Sequence, residues 1–235
     1  MLNKKGDKVT LAEYNLGSAS PCEKPEKGTC HMSSWLKRTA LVSVATFALM
    51  GVAQAEVIYN RANAGEPETL DTHKTSTVQE AHILRDLLEG LVTYNAKGEA
   101  VPGQASKWEI SDDGKVYRFT LRDGIKWSNG DPVKASDFVY SYRRIMDPAT
   151  GSKYANILYS IKGAEAANKG KGKIEDIGVK AVDDKTLEIT LEQPTPYFIE
   201  LLTHQTSLPV NPASVEKFGK DFVSRATWCP TAPTS

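Results

Sequence analysis

The stretch KWEISDDGKVYRFTLRDGIKW (residues 107–127) constrains the fold more than any other part of the chain. Trp108 and Ile110 alternate with polar neighbours, and alternation resumes through Val116, Tyr117, Arg118, Phe119, Thr120, Leu121 and Arg122 beyond Asp113-Gly114. A period of two sends every second side chain to one face of a sheet. Glycine accepts the positive φ that a tight turn demands, so the segment predicts an antiparallel hairpin. GVKAVDDKTLEITLEQP (residues 178–194) predicts a second one, with Asp183-Asp184-Lys185 as its turn and Leu187, Ile189 and Leu191 on one side.

Helical periodicity surrounds the hairpins. TVQEAHILRDLLEGL places Val78, Ala81, His82, Leu84, Leu87, Leu88 and Leu91 mostly at spacings of three and four, with Gly90 where a helix C-cap belongs. DFVYSYRRIM reads as a helix capped by Ser136 or Asp137 and stopped before Asp147-Pro148. YANILYSIKGAEAANKG, YFIELLTH and PASVEKFGKDF also read as helical, VIYNRA (57–62) as a strand, and LVTYNAKGEAVPG as a strand leaving a turn. The expected fold class is mixed α+β, that is α/β in the broad sense.

Little in this body points to a reaction. Asp112-Asp113 and Asp183-Asp184 are paired carboxylates, but both lie in turns, where Asp bonds its own backbone. His73, His82 and His204 lack ligand spacing, and all three cysteines (Cys22, Cys30, Cys229) lie outside residues 56–223, so no Cys-based metal site is expected. GKGKG lacks the Ser/Thr and helix of a phosphate loop. Residues 56–223 carry 21 Lys and Arg against 25 Asp and Glu, which disfavours a nucleic-acid partner. The expectation is a non-enzyme without cofactor or metal; a small secreted hydrolase is the competing reading.

The two ends differ from this body. Lys37-Arg38, an apolar run from Thr39 to Val52, and Ala53-Gln54-Ala55 form an export signal, with cleavage after Ala55 leaving Glu56 as the first mature residue. The run falls short of the roughly 20 residues that span a bilayer, and no Cys follows it for a lipid anchor. Residues 1–31 read as an unstructured upstream extension and 32–55 as the signal peptide. At the other end, residues 224–235 lose the patterning. The expectation from the residues is an aberrant tail.

Residues 105–155 resemble the periplasmic oligopeptide-binding proteins, the solute receptors of peptide, dipeptide and nickel ABC importers. The resemblance is carried by Trp108, Asp112, Asp113, Gly114, Tyr117, Phe119, Leu121, Arg122, Gly124, Lys126, Trp127, Gly130, Pro132, Ala135, Asp137, Phe138, Tyr140 and Ser141. LDTHK, RDLLEGL, GVKAVDDKTLEITLEQPTPYF and SVEKFG extend it across 57–223.

This resemblance implies a two-lobed, three-domain receptor about twice this long, of which the chain is the N-terminal part with the second lobe missing. Family members continue past the EKFG stretch into an N-x-V-(S/T)-N-G-A-Y-K-like run, which a shifted frame beneath residues 224–235 accommodates with freely chosen codons, so the resemblance implies truncation by a frameshift. Residues 56–88 would open the first lobe, 89–210 form a smaller α+β domain and 211–223 start the return. It further implies an oligopeptide ligand, an inner-membrane ABC permease as partner, a periplasmic monomer, and ligand contacts from Thr75, Ser76, Thr77, Val78 and Tyr154. Ser76 stands where the well-known peptide receptor has Glu, and dipeptide, nickel, haem and murein-peptide receptors share the same string.

Overall fold

The computed structural model describes residues 62–224 and 227–231. The expected signal peptide with Ala53, Ala55 and Glu56, the upstream extension, and most of the strand at 57–62 lie outside the described residues.

Both predicted hairpins form and pair with each other. Strands β3 (Ala105–Ile110) and β4 (Val116–Leu121) flank the Asp-Gly turn, and β5 (Val179–Ala181) and β6 (Thr186–Thr190) form the second hairpin. One antiparallel sheet results, in the order β3-β4-β6-β5. Tyr117 lies opposite Ile189 and Phe119 opposite Leu187, so the apolar sets of β4 and β6 share one face. On the other face Arg118 Nη2 meets Glu188 Oε2 at 2.7 Å. Gly114 sits at φ +67° and donates to the Ser111 carbonyl at 2.8 Å, closing the first turn. Ile110, at the strand end, is half exposed rather than packed like Trp108. A separate small hairpin joins β1 (Val92–Tyr94) and β2 (Ala100–Pro102).

Helix α1 spans Val78–Leu87 and α2 spans Ala135–Met146. Phe138, Tyr142, Ile145 and Met146 line the buried side of α2 and join Tyr117, Phe119, Leu187 and Ile189 in one core. Three local expectations are corrected. Gly90 is not the C-cap of α1, because the helix ends two residues earlier, at a Leu88 already extended at ψ 148°. The N-cap of α2 is Lys134; Asp137 acts at the third helical position, accepting from the Lys134 N–H at 3.1 Å and from Trp127 Nε1 at 3.0 Å. YANILYSIKGAEAANKG is no single helix but a 3₁₀ turn, Ala155–Leu158, then the short helix α3, Ala164–Asn168, broken by Gly163 at φ +72°. Positive φ is incompatible with a continuing right-handed helix.

The later apolar stretches form α4 (Phe198–Leu201) and α5 (Pro212–Phe218), the latter followed by a 3₁₀ turn over Gly219–Val223. A second, smaller cluster gathers Leu84, Leu88 and Leu208, with Leu70 and Trp228 packed against it. The tail reaches back as well. Ser128 N–H donates to the Pro230 carbonyl at 2.8 Å, Thr231 bridges to Trp127, and Cys229 is buried beside Ser128 and Asn211.

Phe119 has no exposed surface and touches both Trp108 and Tyr117. Phe119→Ala is expected to cost about 3–5 kcal/mol of stability, measured by urea unfolding.

Candidate ligand-binding site

The four contiguous candidate residues sit in the turn that leads into α1. Thr77 is the N-cap, and its hydroxyl accepts from the Glu80 N–H at 3.3 Å. Glu80 answers as a capping box demands, and does more. Its Oε2 accepts from the N–H groups of Ser76 (2.8 Å) and Thr77 (2.9 Å), and its Oε1 from those of Glu68 (3.1 Å) and Thr69 (3.3 Å). One buried carboxylate thus organises ten residues of loop. Burial alone would raise this carboxyl; the amides and the Thr77 hydroxyl outweigh it and hold Glu80 below its ordinary 4.5.

A second anchor lies across the domain. Arg144, near the C-terminal end of α2, places a bidentate fork on Asp71, with Nη1 to Oδ1 at 2.8 Å and Nη2 to Oδ2 at 2.7 Å. Nη1 also lies 2.8 Å from His73 Nδ1, and the guanidinium carbon sits 5.1 Å from the centre of the Phe222 ring. The main chain of Asp71 then completes the loop, its carbonyl accepting from the N–H groups of Lys74 (2.8 Å) and Thr75 (3.1 Å). Burial works to raise Asp71, but the hydrogen bond from Arg144 and its charge leave it lowered. Burial, with the Arg144 charge, pushes His73 down to about 3 against the pull of Asp71 and the Leu208 backbone. A neutral His73 that accepts at Nδ1 carries its proton on Nε2.

These anchors decide what each candidate presents. Thr75 is fully buried, and its hydroxyl donates to the Thr72 carbonyl at 3.1 Å. Ser76 Oγ accepts from Lys153 Nζ at 3.3 Å, and the same ammonium lies 3.7 Å from Glu68. Val78 is 65% exposed, a large apolar side chain facing water at the first position of α1. Tyr154, next to Lys153, is partly exposed and tilts against His204 at 5.6 Å between ring centres. The Lys153–Ser76 bond ties the residue before Tyr154 to the loop, while the Tyr154 ring itself packs on His204. Sequence reasoning did not single out Glu80, Asp71, Arg144 or Lys153.

The other candidates fall elsewhere. Asp113 accepts from the Lys115 N–H, and Asp183 from those of Lys185 and Thr186, which is turn chemistry. His82 is exposed, and no group of three or more His, Cys, Asp or Glu among the described residues could hold a metal ion. Among the described residues, no helix is long and apolar enough to cross a membrane. A cleft of about 790 Å³ runs between α2 and β5, lined by Val139, Tyr140, Arg143, Ile177, Lys180 and Ala181 among others; it includes none of residues 75–78 and not Tyr154.

Residues 99–227 match the model of the bacterial extracellular solute-binding proteins, family 5. The chain belongs to this family. It is 48% identical over 174 residues to the oligopeptide-binding protein OppA of Bacillus subtilis, covering 71% of this chain and 32% of that protein. It is 48% identical over 164 residues to the periplasmic oligopeptide-binding protein OppA of Escherichia coli, covering 69% and 30%. Among solved structures it resembles Haemophilus influenzae OppA in complex with RPPGFSPFR, at a TM-score of 0.70 and 42% identity over 72% of this chain and 33% of that one. The unliganded open form of the murein tripeptide-binding protein MppA resembles it at a TM-score of 0.67 and 43% identity, over 70% and 32%. The matched part of this family-5 chain thus spans about a third of the relatives' length. These relatives are binding proteins, named for peptide ligands.

Two measurements check the anchors. Glu80→Gln sets an amide donor against backbone donors and is expected to cost about 3 kcal/mol. Acid should act on the same groups. In the unfolded chain Asp71, Glu80 and His73 all take up protons more readily than in the folded one, at ordinary values of 3.8, 4.5 and 6.5. Stability is therefore full above 6.5 and falls with acid, first through His73, with a limiting slope of about 1.4 kcal/mol per pH unit. It then falls more steeply below 4.5 as the carboxyls join. Half-buried His204, lowered by burial and by Arg85, adds in the same sense. Urea midpoints from pH 7 to 4 should show this decline, and His73→Gln should remove most of it between pH 6.5 and 5.

Proposed function

We propose that this chain is the first, ligand-facing part of an extracytoplasmic receptor that captures oligopeptides and hands them to an inner-membrane ABC permease. The observation that carries the proposal is the bond from Lys153 to Ser76, which ties the segment leading into Tyr154 to the loop before α1, in a chain 48% identical to oligopeptide-binding relatives. In this reading residues 56–88 open a first lobe, 89–210 form a smaller domain with the hairpin sheet and α2, and 211–223 start the return to the first lobe. Export through the N-terminal signal, with delivery to the periplasm as a monomer, belongs to the same proposal.

The loop geometry refines how a peptide would be met. The N–H groups of Lys74, Thr75, Ser76 and Thr77 are all spent inside the loop. A peptide would therefore find acceptors, apolar Val78 and the Tyr154 ring here, and would supply the donors itself. Strand-like pairing through main-chain groups gives affinity largely independent of side chains, as suits a receptor for varied peptides. With the matched part covering about a third of the relatives' length, this surface is one face of the site, and the expected affinity of the chain alone is weak.

Titrating the ¹⁵N-labelled chain with RPPGFSPFR tests this. Expected are saturable shifts at residues 75–78 and Tyr154, with a dissociation constant on the order of 1 mM. Shifts confined to the α2–β5 cleft, or none, would count against the reading. Dipeptide and murein-peptide relatives make a shorter ligand the second reading, favoured if a dipeptide shifts the same residues more strongly.

A further inference from the structure

We infer that Arg144 is a positioning residue for the ligand loop: its fork on Asp71 and His73 sets the path of residues 74–77, which it does not itself touch. The inference rests on the reading of that loop as a ligand surface, and it assigns a role to a residue on a different element, some seventy positions away in sequence.

The connection is continuous in hydrogen bonds. Both Arg144 terminal nitrogens bind the Asp71 carboxylate, and Asp71 Oδ1 also accepts from the His73 N–H at 3.1 Å. That closes a turn over residues 71–73 and aims the Asp71 carbonyl at the N–H groups of Lys74 and Thr75. Thr75 continues the wrap through its hydroxyl to Thr72. Glu80 takes over at Ser76 and Thr77. Arg144 thus holds one end of the loop and Glu80 the other.

The same arginine is fixed from its own side. The Arg144 carbonyl accepts the Thr150 hydroxyl at 2.6 Å, and Asp147 Oδ1 accepts the Ala149 N–H at 2.8 Å. This turn leads from α2 to Lys153 and Tyr154. The role of the arginine lies in its side chain, which holds the loop; its main-chain carbonyl, which any residue would supply, joins the turn toward Lys153. Lysine cannot replace it, because a single ammonium lacks the planar fork that reaches both Asp71 oxygens and His73 together.

The test compares the full chain with Arg144→Lys and Arg144→Met by amide hydrogen exchange, His73 NMR titration and binding of RPPGFSPFR. A positioning role predicts that amides 74–77 exchange faster, on the order of a hundredfold in Arg144→Met and about tenfold in Arg144→Lys. Amides of β4 and β6 should change far less, and His73 should titrate higher in Arg144→Met than in the unsubstituted chain, where burial and the Arg144 charge hold it down. Loop amides unchanged in Arg144→Met, or β4 and β6 amides accelerated as much as the loop, would overturn the inference. Arg144→Lys keeps the charge and decides the matter should Arg144→Met not fold. Should the unsubstituted chain show no peptide-induced shifts, the ligand-surface reading fails, while the exchange data still decide whether Arg144 positions the loop.

Discussion

The largely buried pair between Arg144 and Asp71 is the interaction on which the proposed site depends. It joins residues near the start of the described chain to α2, the helix that packs on the hairpin sheet. Such a pair is weak evidence for added stability, since desolvating two charges consumes much of their attraction. Its geometric consequence is larger than its energetic one. The fork fixes Asp71, Asp71 fixes the turn, and the turn fixes which groups of residues 74–77 face outward. Removing one partner would leave a charge without compensation in a buried place, so the arrangement is close to all-or-none.

Glu80 gives the loop its second fixed point by a different route. A carboxylate that accepts four backbone N–H groups needs no cation, because the amide dipoles supply the compensating charge. The two anchors explain why a segment with little regular structure can present a defined surface. They also explain the division of labour along it: Thr75 is committed to the interior, Thr77 to the helix cap, Ser76 to Lys153, and Val78 is left to water.

Legibility from sequence followed the range of the forces involved. Both hairpins were readable because alternation and Asp-Gly or Asp-Asp-Lys turns act over a few residues, and the paired strands bury the expected side chains except Ile110 at the strand end. The helix over residues 154–170 was misread because its composition is helical while Gly163 needs a positive φ that only the packed structure reveals. The cap of α2 was misplaced because Asp137 works from inside the helix, bound to both Lys134 and Trp127. The Thr77-to-Glu80 spacing is a capping-box signal visible in the sequence, yet the extra bonds to Glu68 and Thr69 are not. Nothing local links Asp71 to Arg144, which is why that anchor was absent from the sequence reading. The resemblance to peptide receptors pointed to residues 75–78 and Tyr154 without indicating what holds them.

The most direct measurement is photo-cross-linking of the full chain with an RPPGFSPFR analogue carrying a photoreactive phenylalanine, followed by peptide mapping. The account predicts label on residues 76–78 and on Tyr154 or its neighbours, competed by unlabelled peptide. Competable label on the α2–β5 cleft, at Tyr140, Ile177 or Lys180, would place the peptide on another face and contradict it.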